Sequence, residues 1–293
     1  YGVCDLGSIN LTQFISAPFS EHARVDFDAL TSVAQVATRM LDNVYDISRF
    51  PIESQATVAR RTRRIGLGLT GLADALIMLG VRYGSDQSLK VSEAIMQTIC
   101  HAAYGASVAL AREKGVFPLF DSEKYLAGNF IRTLPDSIRD GIRRFGMRNS
   151  HLSAIAPAGT ISLFANNVSS GVEPVFAPHY RRRIRQRDGT IEPMEVIDYA
   201  YSLFHGGNHG KTELPSGYST VSGVAPESHL AMQAVLQRYV DNSISKTVNL
   251  PEAIDFESFS KLYERAYQHG LKGFTTFRPN AVTGEVLVLE PGM

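Results

Sequence analysis

One stretch of the chain alternates glycine with apolar residues and reads Ile65-Gly66-Leu67-Gly68-Leu69-Thr70-Gly71-Leu72-Ala73-Asp74. A glycine inside a strand marks a place where another backbone approaches closely, and the apolar residues between the glycines indicate burial. Apolar residues continue beyond the last glycine of the stretch. The stretch therefore predicts a tightly packed strand that turns into a helix.

Helical patterns flank this strand on both sides. Upstream, Asp26 is a suitable N-cap for an amphipathic helix, and Pro51 follows the expected end of that helix. Downstream, a long helix is predicted to begin near Ser85 or Asp86 and to end at Gly115.

The rest of the chain continues the alternation of strands and helices. The further predicted helices cover 122–145 (a shorter pair), 226–241 and 256–269, and the further predicted strands cover 1–15, 243–250 and 273–279. The segment from Tyr180 to Met194 reads as a hairpin with a two-residue turn at Asp188-Gly189. Strands that alternate with helices indicate an α/β fold with a largely parallel sheet or barrel.

Composition limits the class of protein. The 293 residues include 29 Lys and Arg against 29 Asp and Glu, so the net charge is zero, which argues against bulk nucleic acid as the main partner. No apolar run approaches the roughly 18 residues that span a bilayer, and the first ten residues do not resemble a signal peptide. Two cysteines cannot form a disulfide framework, which favours a reducing, cytoplasmic location. Because the chain has no initiator Met, we expect it to be an excerpt of something longer.

The best local candidate site lies between Ser153 and Ser162. A strand is predicted to end at Ala156, a Pro-Ala-Gly turn follows, and a helix would open at Thr160. Free backbone N–H groups and the helix dipole at such a start favour an anion such as phosphate. The alternative is an ordinary strand-to-helix turn. The sequence carries no Walker-type P-loop, nucleophile elbow or Rossmann fingerprint.

Other reactive residues have structural alternatives. Cys4 in the first strand is most simply a small buried hydrophobe, and Cys100 lies within an apolar helical stripe. Asp74 could be a catalytic acid, but a helix cap is the preferred interpretation. His205 and His209 lie in a glycine-rich loop, which makes a zinc site there a weak candidate.

Two arginine clusters, at 60–64 and 181–187, are the main charge runs of the chain. Phosphate contact or an acidic partner surface is one interpretation of them. A solvated surface is the preferred interpretation for the hairpin, where alternate arginines would share one face.

Taken together, several segments resemble the large subunits of ribonucleotide reductases, and they occur in the family's order from Tyr1 to Asn280. The similar segments are Tyr1–Leu11, Ile65–Asp74, Pro157–Ser162 followed by Ser170–Pro174, Ser243–Asn249 and Gly270–Asn280. Tyr1–Leu11 resembles the strand after the active-site loop, and Ile65–Asp74 resembles the glycine-rich barrel strand. The segment from Pro157 to Pro174 resembles the substrate-phosphate loop. Ser243–Asn249 and Gly270–Asn280 resemble the final two barrel strands.

The resemblance also implies a subclass. Large subunits that receive a radical from a separate iron protein carry adjacent tyrosines near the final strand, whereas the matching positions here are Thr275 and Thr276. The pattern Gly-Phe-Thr-Thr-Phe-Arg-Pro-Asn resembles the class II enzymes, which use adenosylcobalamin to generate a thiyl radical. No glycyl-radical segment is visible before Met293, which disfavours the anaerobic class.

The resemblance implies a ten-stranded α/β barrel of two parallel five-stranded halves, related to that of pyruvate formate-lyase. Residues 1–293 would form the C-terminal part of this catalytic domain, with mostly parallel strands and flanking helices. The upstream half and the Asn-x-Cys-x-Glu loop, which carries the radical cysteine and a glutamate base, are absent from the chain. We therefore expect the chain alone to be catalytically incompetent.

Site residues follow from the same resemblance. Cys4 matches one of the family's two reducing cysteines, whose partner would lie upstream. The residues that match the phosphate loop are Pro157, Ala158, Gly159, Thr160, Ile161 and Ser162. The family usually has a hydroxylic residue where Ala158 stands, so the match is incomplete there. No metal ligand is expected on the chain itself.

The implied activity is reduction of ribonucleotides to 2′-deoxyribonucleotides, with oxidation of a cysteine pair. The expected partners are the ribonucleotide, a dithiol reductant such as thioredoxin, and either a second copy of the chain or a complementing N-terminal half. Neither nucleic acid nor a membrane is expected. The alternatives are a large subunit of the iron-dependent class, or a non-catalytic or split-enzyme fragment that needs a partner chain.

Overall fold

A computed structural model describes residues 1–206, 213–279 and 287–288 of the chain. The helices within these ranges are α1 (Phe27–Ile47), α2 (Glu53–Thr62), α3 (Leu72–Met78), α4 (Asp86–Lys114), α5 (Ser122–Leu126), α6 (Asn129–Arg132), α7 (Asp136–Phe145), α8 (Gly159–Phe164), α9 (Tyr199–Phe204), α10 (Pro226–Gln237) and α11 (Phe256–Gln268). The strands are β1 (Asp5–Asn10), β2 (Ile15–Ser16), β3 (Arg24–Val25), β4 (Ile65–Thr70), β5 (His179–Arg185), β6 (Ile191–Ile197), β7 (Thr247–Asn249), β8 (Thr275–Phe277) and β9 (Leu287–Val288). The mixed α/β class expected from the sequence is confirmed.

Parallel pairing links five segments of the chain. β1 pairs with β4 in parallel over their whole lengths, from Asp5 opposite Ile65 to Asn10 opposite Thr70. Single parallel bridges then join Leu67 to Ser153 and Ile155 to Ile244, and β7 pairs in parallel with β8. The five parallel segments therefore lie in the order in which they occur along the chain.

The glycines of β4 permit the close approach that their pattern predicts. A Cβ atom on Gly68 would lie 2.2 Å from the carbonyl oxygen of Ala154, and one on Gly66 would lie 2.5 Å from Leu6 Cδ2 and 2.8 Å from Ala154 Cβ. The apolar residues that alternate with these glycines are completely buried. The predicted strand is thus confirmed, and α3 follows it directly.

The two helices predicted beside β4 are confirmed. Asp26 caps α1 by accepting a hydrogen bond from the Ala29 N–H at 2.9 Å, and Ser85 caps α4 in the same way. α4 packs along α1 and ends at Gly115, whose φ of +86° favours glycine.

Helix α4 qualifies one expectation about membranes. By length and composition this helix could span a bilayer, because one 18-residue window has a mean hydropathy of 1.2. In the folded chain 56% of that window is buried, as in the core helix of a soluble protein. The expectation that no run of roughly 18 apolar residues occurs still holds for this helix, because Gln97 and His101 fall within every 18-residue window of it.

The hairpin is confirmed, but its turn is longer than predicted. β5 and β6 pair in antiparallel fashion down to Arg185 opposite Ile191, which leaves 186–190 as the loop. Within it, the Asp188 carboxylate accepts hydrogen bonds from the N–H and the hydroxyl of Thr190. The Asp188 side chain thus forms a turn with Thr190, two residues later in the chain. This turn replaces the two-residue hairpin turn that the Asp-Gly pair predicts.

Candidate functional site

The predicted anion-binding turn lies where the third parallel segment ends. The chain leaves this segment at Ala156, turns through Pro157 and Ala158, and opens α8 at Gly159. Ala158 is buried, whereas Thr160 is exposed. Among the described residues, no hydrogen bond occupies the backbone N–H groups of Gly159, Thr160 and Ile161. Three free N–H groups and one exposed hydroxyl can donate hydrogen bonds to an anion at this turn.

The last residue of the predicted loop, Ser162, faces inward. It is 3% exposed, and its Oγ lies 2.8 Å from the Oγ1 of Thr70 at the end of β4. Thr70 Oγ1 also lies 3.0 Å from the carbonyl oxygen of Ser169 and accepts the Gly171 N–H at 3.1 Å. The glycine-rich strand and the anion-binding turn, which the sequence singled out separately, therefore meet at one pair of hydroxyls.

Asp74 does not cap α3, so the preferred interpretation of this residue was wrong. The N-cap of α3 is instead Gly71, which is in the left-handed conformation with φ +75°. The Asp74 carboxylate, which is fully buried, accepts the Ser169 N–H at 2.5 Å and the Ala200 N–H at 2.8 Å. It therefore ties the segment after α8 to the start of α9, which local sequence cannot reveal because the partners lie more than 90 residues away.

A second acid, Asp198, accompanies Asp74. Asp198 caps α9 by accepting the Tyr201 N–H at 2.9 Å, and it is 2% exposed. Burial, followed by the charge of Asp74, raises the pKa of Asp198 well above its usual value. Burial also raises the pKa of Asp74, against the opposing effect of hydrogen bonds from Ser169 and Ala200. Burial therefore favours the protonated form of both carboxyl groups more than water would, and for Asp198 the negative charge of Asp74 adds to this effect.

Cys4 lies directly before β1, at the amino end of the parallel strands, and is exposed. Its Sγ would lie 3.5 Å from a Cβ on Gly66, so Cys4 is on the same face as Leu6. Partial burial raises the pKa of the Cys4 thiol, while the charge of Arg64 opposes this and those of Asp241 and Asp5 reinforce it. The buried-hydrophobe interpretation was wrong for Cys4.

Cys100 differs from Cys4 in every respect that bears on reactivity. It is completely buried in α4, and burial raises the pKa of its thiol. Both cysteines are free thiols. The sequence-based assignment of Cys100 to the core is confirmed.

Sequence reasoning missed Asp241, which joins the third and fourth parallel segments. Its carboxylate accepts the backbone N–H groups of Leu152 at 2.8 Å and Ser153 at 3.0 Å, and the Tyr104 hydroxyl at 2.7 Å. The neighbouring Asn242 accepts the guanidinium of Arg64. These contacts fix the start of the segment that leads into the anion-binding turn. The only sequence signal was two adjacent polar residues before a strand, which is too common to be informative.

A buried lysine was also missed. Lys246 is 2% exposed, and its Nζ lies 2.8 Å from Glu173 Oε2 and 2.8 Å from His229 Nδ1. Burial, with the charge of Lys246, lowers the pKa of His229 to about 3, so this imidazole is neutral and accepts from the lysine. Glu173 also accepts the Thr247 N–H at 2.6 Å. The ion pair therefore fixes the segment that follows the anion-binding turn to β7.

Among the arginine and histidine candidates that the structure describes, Arg63 and His205 each make a structural contact. Arg63 of the first arginine cluster is buried and donates to Asp42 at 2.8 Å, which makes it a structural residue. His205 lies against the carbonyl oxygen of Glu213, with Nε2 2.7 Å from it. His209 lies outside the described residues, as does Asn280. The described part of the chain contains no group of three or more metal-ligating side chains.

Comparison with known proteins gives a consistent result. A family model described as the ribonucleotide reductase barrel domain matches residues 1–277. A vitamin B12-dependent ribonucleoside-diphosphate reductase of Mycobacterium tuberculosis is 36% identical to this chain, and the match covers 98% of this chain and 41% of the relative. The corresponding protein of Thermoplasma acidophilum is 34% identical, with 98% and 37% covered.

More distant relatives match over the same range. The ribonucleoside-diphosphate reductase subunit alpha of Chlamydia pneumoniae is 27% identical, with 96% of this chain and 30% of the relative covered. The chain thus spans about two fifths or less of the length of these curated relatives.

Proposed function

Because this chain belongs to the ribonucleotide reductase barrel-domain family, we propose that residues 1–293 form the C-terminal part of the catalytic barrel of such a reductase. The five parallel segments between Asp5 and Phe277 support this proposal, since a ten-stranded barrel with two parallel halves needs five on each side. The other half and the radical-bearing loop would come from a polypeptide region outside this chain.

The anion-binding turn is proposed to hold the phosphates of a ribonucleotide. The residues assigned to this site are Pro157, Ala158, Gly159, Thr160, Ile161 and Ser162. The free N–H groups of Gly159, Thr160 and Ile161 carry the assignment, because they can donate to phosphate oxygens whatever the side chains are. Replacement of the family's hydroxylic residue by the buried Ala158 leaves these backbone donors in place.

Cys4 is proposed as one of two reducing cysteines. In the overall step, two thiols give up two electrons and two protons, the C2′–OH bond of the ribose breaks, a C2′–H bond forms, and water leaves. A disulfide between Cys4 and a cysteine outside this chain is the oxidised product. Exposure of Cys4 at a strand end supports the assignment, because both a substrate and an external dithiol reductant must reach the sulfur.

Adenosylcobalamin is the proposed cofactor, as in the vitamin B12-dependent relatives. Cobalamin brings its own ring nitrogens to cobalt, so it does not need the cluster of metal ligands that the described residues lack. Strand β8 exposes Thr275 and Phe277, and the hydroxyl of Thr276 lies 3.1 Å from that of Tyr263. Thr275 and Thr276 stand where the iron-dependent subunits have adjacent tyrosines, and a threonine hydroxyl cannot be oxidised reversibly to relay a radical. When bound, the cofactor supplies the radical that a cysteine outside this chain receives.

The remaining assignments follow from this chemistry. A small dithiol protein such as thioredoxin would regenerate the Cys4 thiol, and a reducing cytoplasm is the proposed location. A complementing N-terminal half would complete the barrel, and a homodimer is the proposed assembly.

Replacement of Cys4 by serine in the complete polypeptide that carries this segment tests the redox proposal. We expect the C4S variant to lose multiple turnover with a dithiol reductant, because serine cannot form the disulfide, while the radical signal in electron paramagnetic resonance survives. The matched control is Cys100→Ala, which removes the other thiol from the buried core and should leave turnover unchanged. Normal multiple turnover by the C4S variant would contradict the assigned role.

A further inference from the structure

Thr70 contacts both ends of one excursion of the chain. The chain leaves the third parallel segment at Ala156, forms α8, and returns at 169–171. Thr70 Oγ1 meets Ser162 Oγ of α8 at 2.8 Å, and it meets the carbonyl oxygen of Ser169 and the N–H of Gly171 on the returning side. One hydroxyl at the end of β4 therefore closes the loop that contains the anion-binding turn.

The hydroxyl protons around Thr70 can be placed by counting donors. The carbonyl oxygen of Ser169 can only accept, so the single proton of Thr70 is donated to it. The Gly171 N–H is donated to Thr70, and Thr70 keeps one more acceptor position. The contact with Ser162 is then a hydrogen bond only if Ser162 donates its proton to Thr70. This arrangement is the only one in which all three contacts of Thr70 are hydrogen bonds.

The proton count changes the role of Ser162. Its only proton points toward Thr70, and its oxygen is buried, so it offers no donor to a phosphate. The donors left at the turn are the N–H groups of Gly159, Thr160 and Ile161 and the exposed hydroxyl of Thr160. Ser162 acts on a phosphate only through the position of α8.

We propose that Thr70 is a positioning residue for substrate phosphate, which holds α8 in place through Ser162 and the returning segment through Ser169 and Gly171. This inference rests on the proposed function, because it takes the turn at Pro157–Ser162 to be the phosphate site. Ser169 extends the same support, since its Oγ accepts the N–H groups of Ala73 and Asp74 in the first turn of α3.

The test compares Thr70→Val with Thr70→Ser in the complete polypeptide. Valine keeps the β-branched shape but removes the hydroxyl, whereas serine keeps the hydroxyl. With the T70V variant we expect a three- to tenfold rise, roughly, in KM for a ribonucleoside diphosphate and in Kd for inorganic pyrophosphate, as the loss of one net hydrogen bond implies. kcat should change less than twofold, and the T70S variant should match the unchanged protein. Unchanged KM and Kd with T70V would overturn the inference.

A double-mutant cycle of Thr70 and Ser162 shows whether Ser162 only anchors α8 or also donates a hydrogen bond to phosphate. If Ser162 acts only through Thr70, Ser162→Ala should raise the Kd for pyrophosphate no more than T70V does, because T70V also removes the contacts with Ser169 and Gly171. The double variant should then show no rise beyond that of T70V. If Ser162 donates to phosphate directly, the two effects will multiply, and the proposed role of Thr70 is wrong. The S162A variant also probes the contact from α8 if T70V fails to fold.

Amide hydrogen exchange reports on the contact without any ligand. The Gly171 N–H should exchange faster in T70V and remain protected in T70S, because this N–H donates to the hydroxyl itself. Equal protection of Gly171 in the two variants would overturn the inference. If the unchanged protein bound neither nucleotide nor pyrophosphate, the phosphate assignment would fail, and the exchange data would show separately whether Thr70 anchors the loop.

Discussion

At the scale of single residues, the pair of buried acids is the most informative feature. Asp74 and Asp198 each accept backbone N–H groups, and neither is exposed. A buried carboxyl group whose pKa is raised binds a proton on folding, so the folded state loses stability as the pH rises above the usual carboxyl value of 3.8. Burial therefore opposes deprotonation of the pair, and for Asp198 the negative charge of Asp74 opposes it further.

Replacement of Asp198 by asparagine should flatten this pH dependence. The amide can still accept the Tyr201 N–H, and it carries no ionisable proton. We expect the free energy of unfolding of wild type to fall as the pH rises from about 4 toward neutrality and above, and we expect the D198N variant to fall less over the same window. Chemical denaturation at a series of pH values measures both slopes.

The control for this prediction is another helix cap with a pKa shift of the opposite sign. Asp121 caps α5 at the surface, and hydrogen bonds from Lys124 lower the pKa of its carboxyl group. Its contribution is present above the usual carboxyl pKa and is lost as the pH falls. Asp121→Asn should therefore lower the stability by a constant amount above that pKa and should change the slope of the profile only on the acid side. Parallel profiles for wild type and D198N above pH 4 would contradict a raised pKa of the Asp198 carboxyl group.

The candidate site was predictable from the sequence only in part, and its residues show why. The turn at 157–162 has a local signal, because proline, glycine and hydroxylic residues together mark a strand-to-helix junction. Cys4 required the family resemblance. Thr70 and Asp241 could not be assigned, since their partners lie more than 80 residues away and no local pattern encodes such a contact.

At the scale of secondary-structure elements, β4 and its glycines determine how closely the strands approach. A methyl group on Gly68 would collide with backbone, at 2.2 Å from the Ala154 carbonyl oxygen. At Gly66 the nearest atom is the end of the Leu6 side chain, which can move, although Ala154 Cβ is also close. The two glycines of one strand therefore have different tolerances.

Replacement of Gly68 by alanine should separate β4 from the third parallel segment and destabilise the protein by about 1–3 kcal/mol, as overpacking does. The matched control is Gly105→Ala on α4, where a Cβ would have no atom within 4 Å. The G105A variant should be more stable by about 0.4–1 kcal/mol, because alanine favours a helix. Thermal or denaturant unfolding measures both, and a neutral G68A would refute the close-approach interpretation.

The sequence predicted long elements better than short ones. α1 and α4 have strong apolar spacing and side-chain caps, so both ends were found. The six-residue helices α8 and α9 and the arginine-rich α2 gain their stability from tertiary contacts such as those of Ser162, Asp198 and Arg63. The sequence predicts two helices over 122–145, whereas the structure has three, α5, α6 and α7. These helices are also short, and their ends depend on tertiary contacts.

At the scale of the whole molecule, the five parallel segments leave apolar groups in solvent. Leu6 of β1 is 50% exposed, and Phe164 at the end of α8 is 95% exposed. An apolar side chain gains free energy when a partner surface removes it from water. The proposed other half of the barrel would supply one.

Residues 1–293 expressed alone should form no deoxynucleotide in the presence of adenosylcobalamin, a dithiol and a ribonucleoside diphosphate. Cys4 has no second exposed cysteine on this chain with which to form a disulfide, because Cys100 is buried in α4. The complete polypeptide under the same conditions is the positive control. Deoxynucleotide from residues 1–293 alone would show that the upstream region is dispensable and would refute the proposed division of the barrel.

The bond from Ser153 to Asp241 also has a consequence for the order in which the protein is made. The strand that leads into the phosphate turn lies between two neighbours, and one of its anchors is 88 residues further along the chain. A ribosome adding about 5–20 residues per second needs roughly 4–18 s to cover that distance. During this interval the nascent strand has β4 on one side and an open edge on the other. The unpaired N–H and C=O groups of this edge are therefore the part of the nascent chain most prone to pair with strands of other unfolded chains.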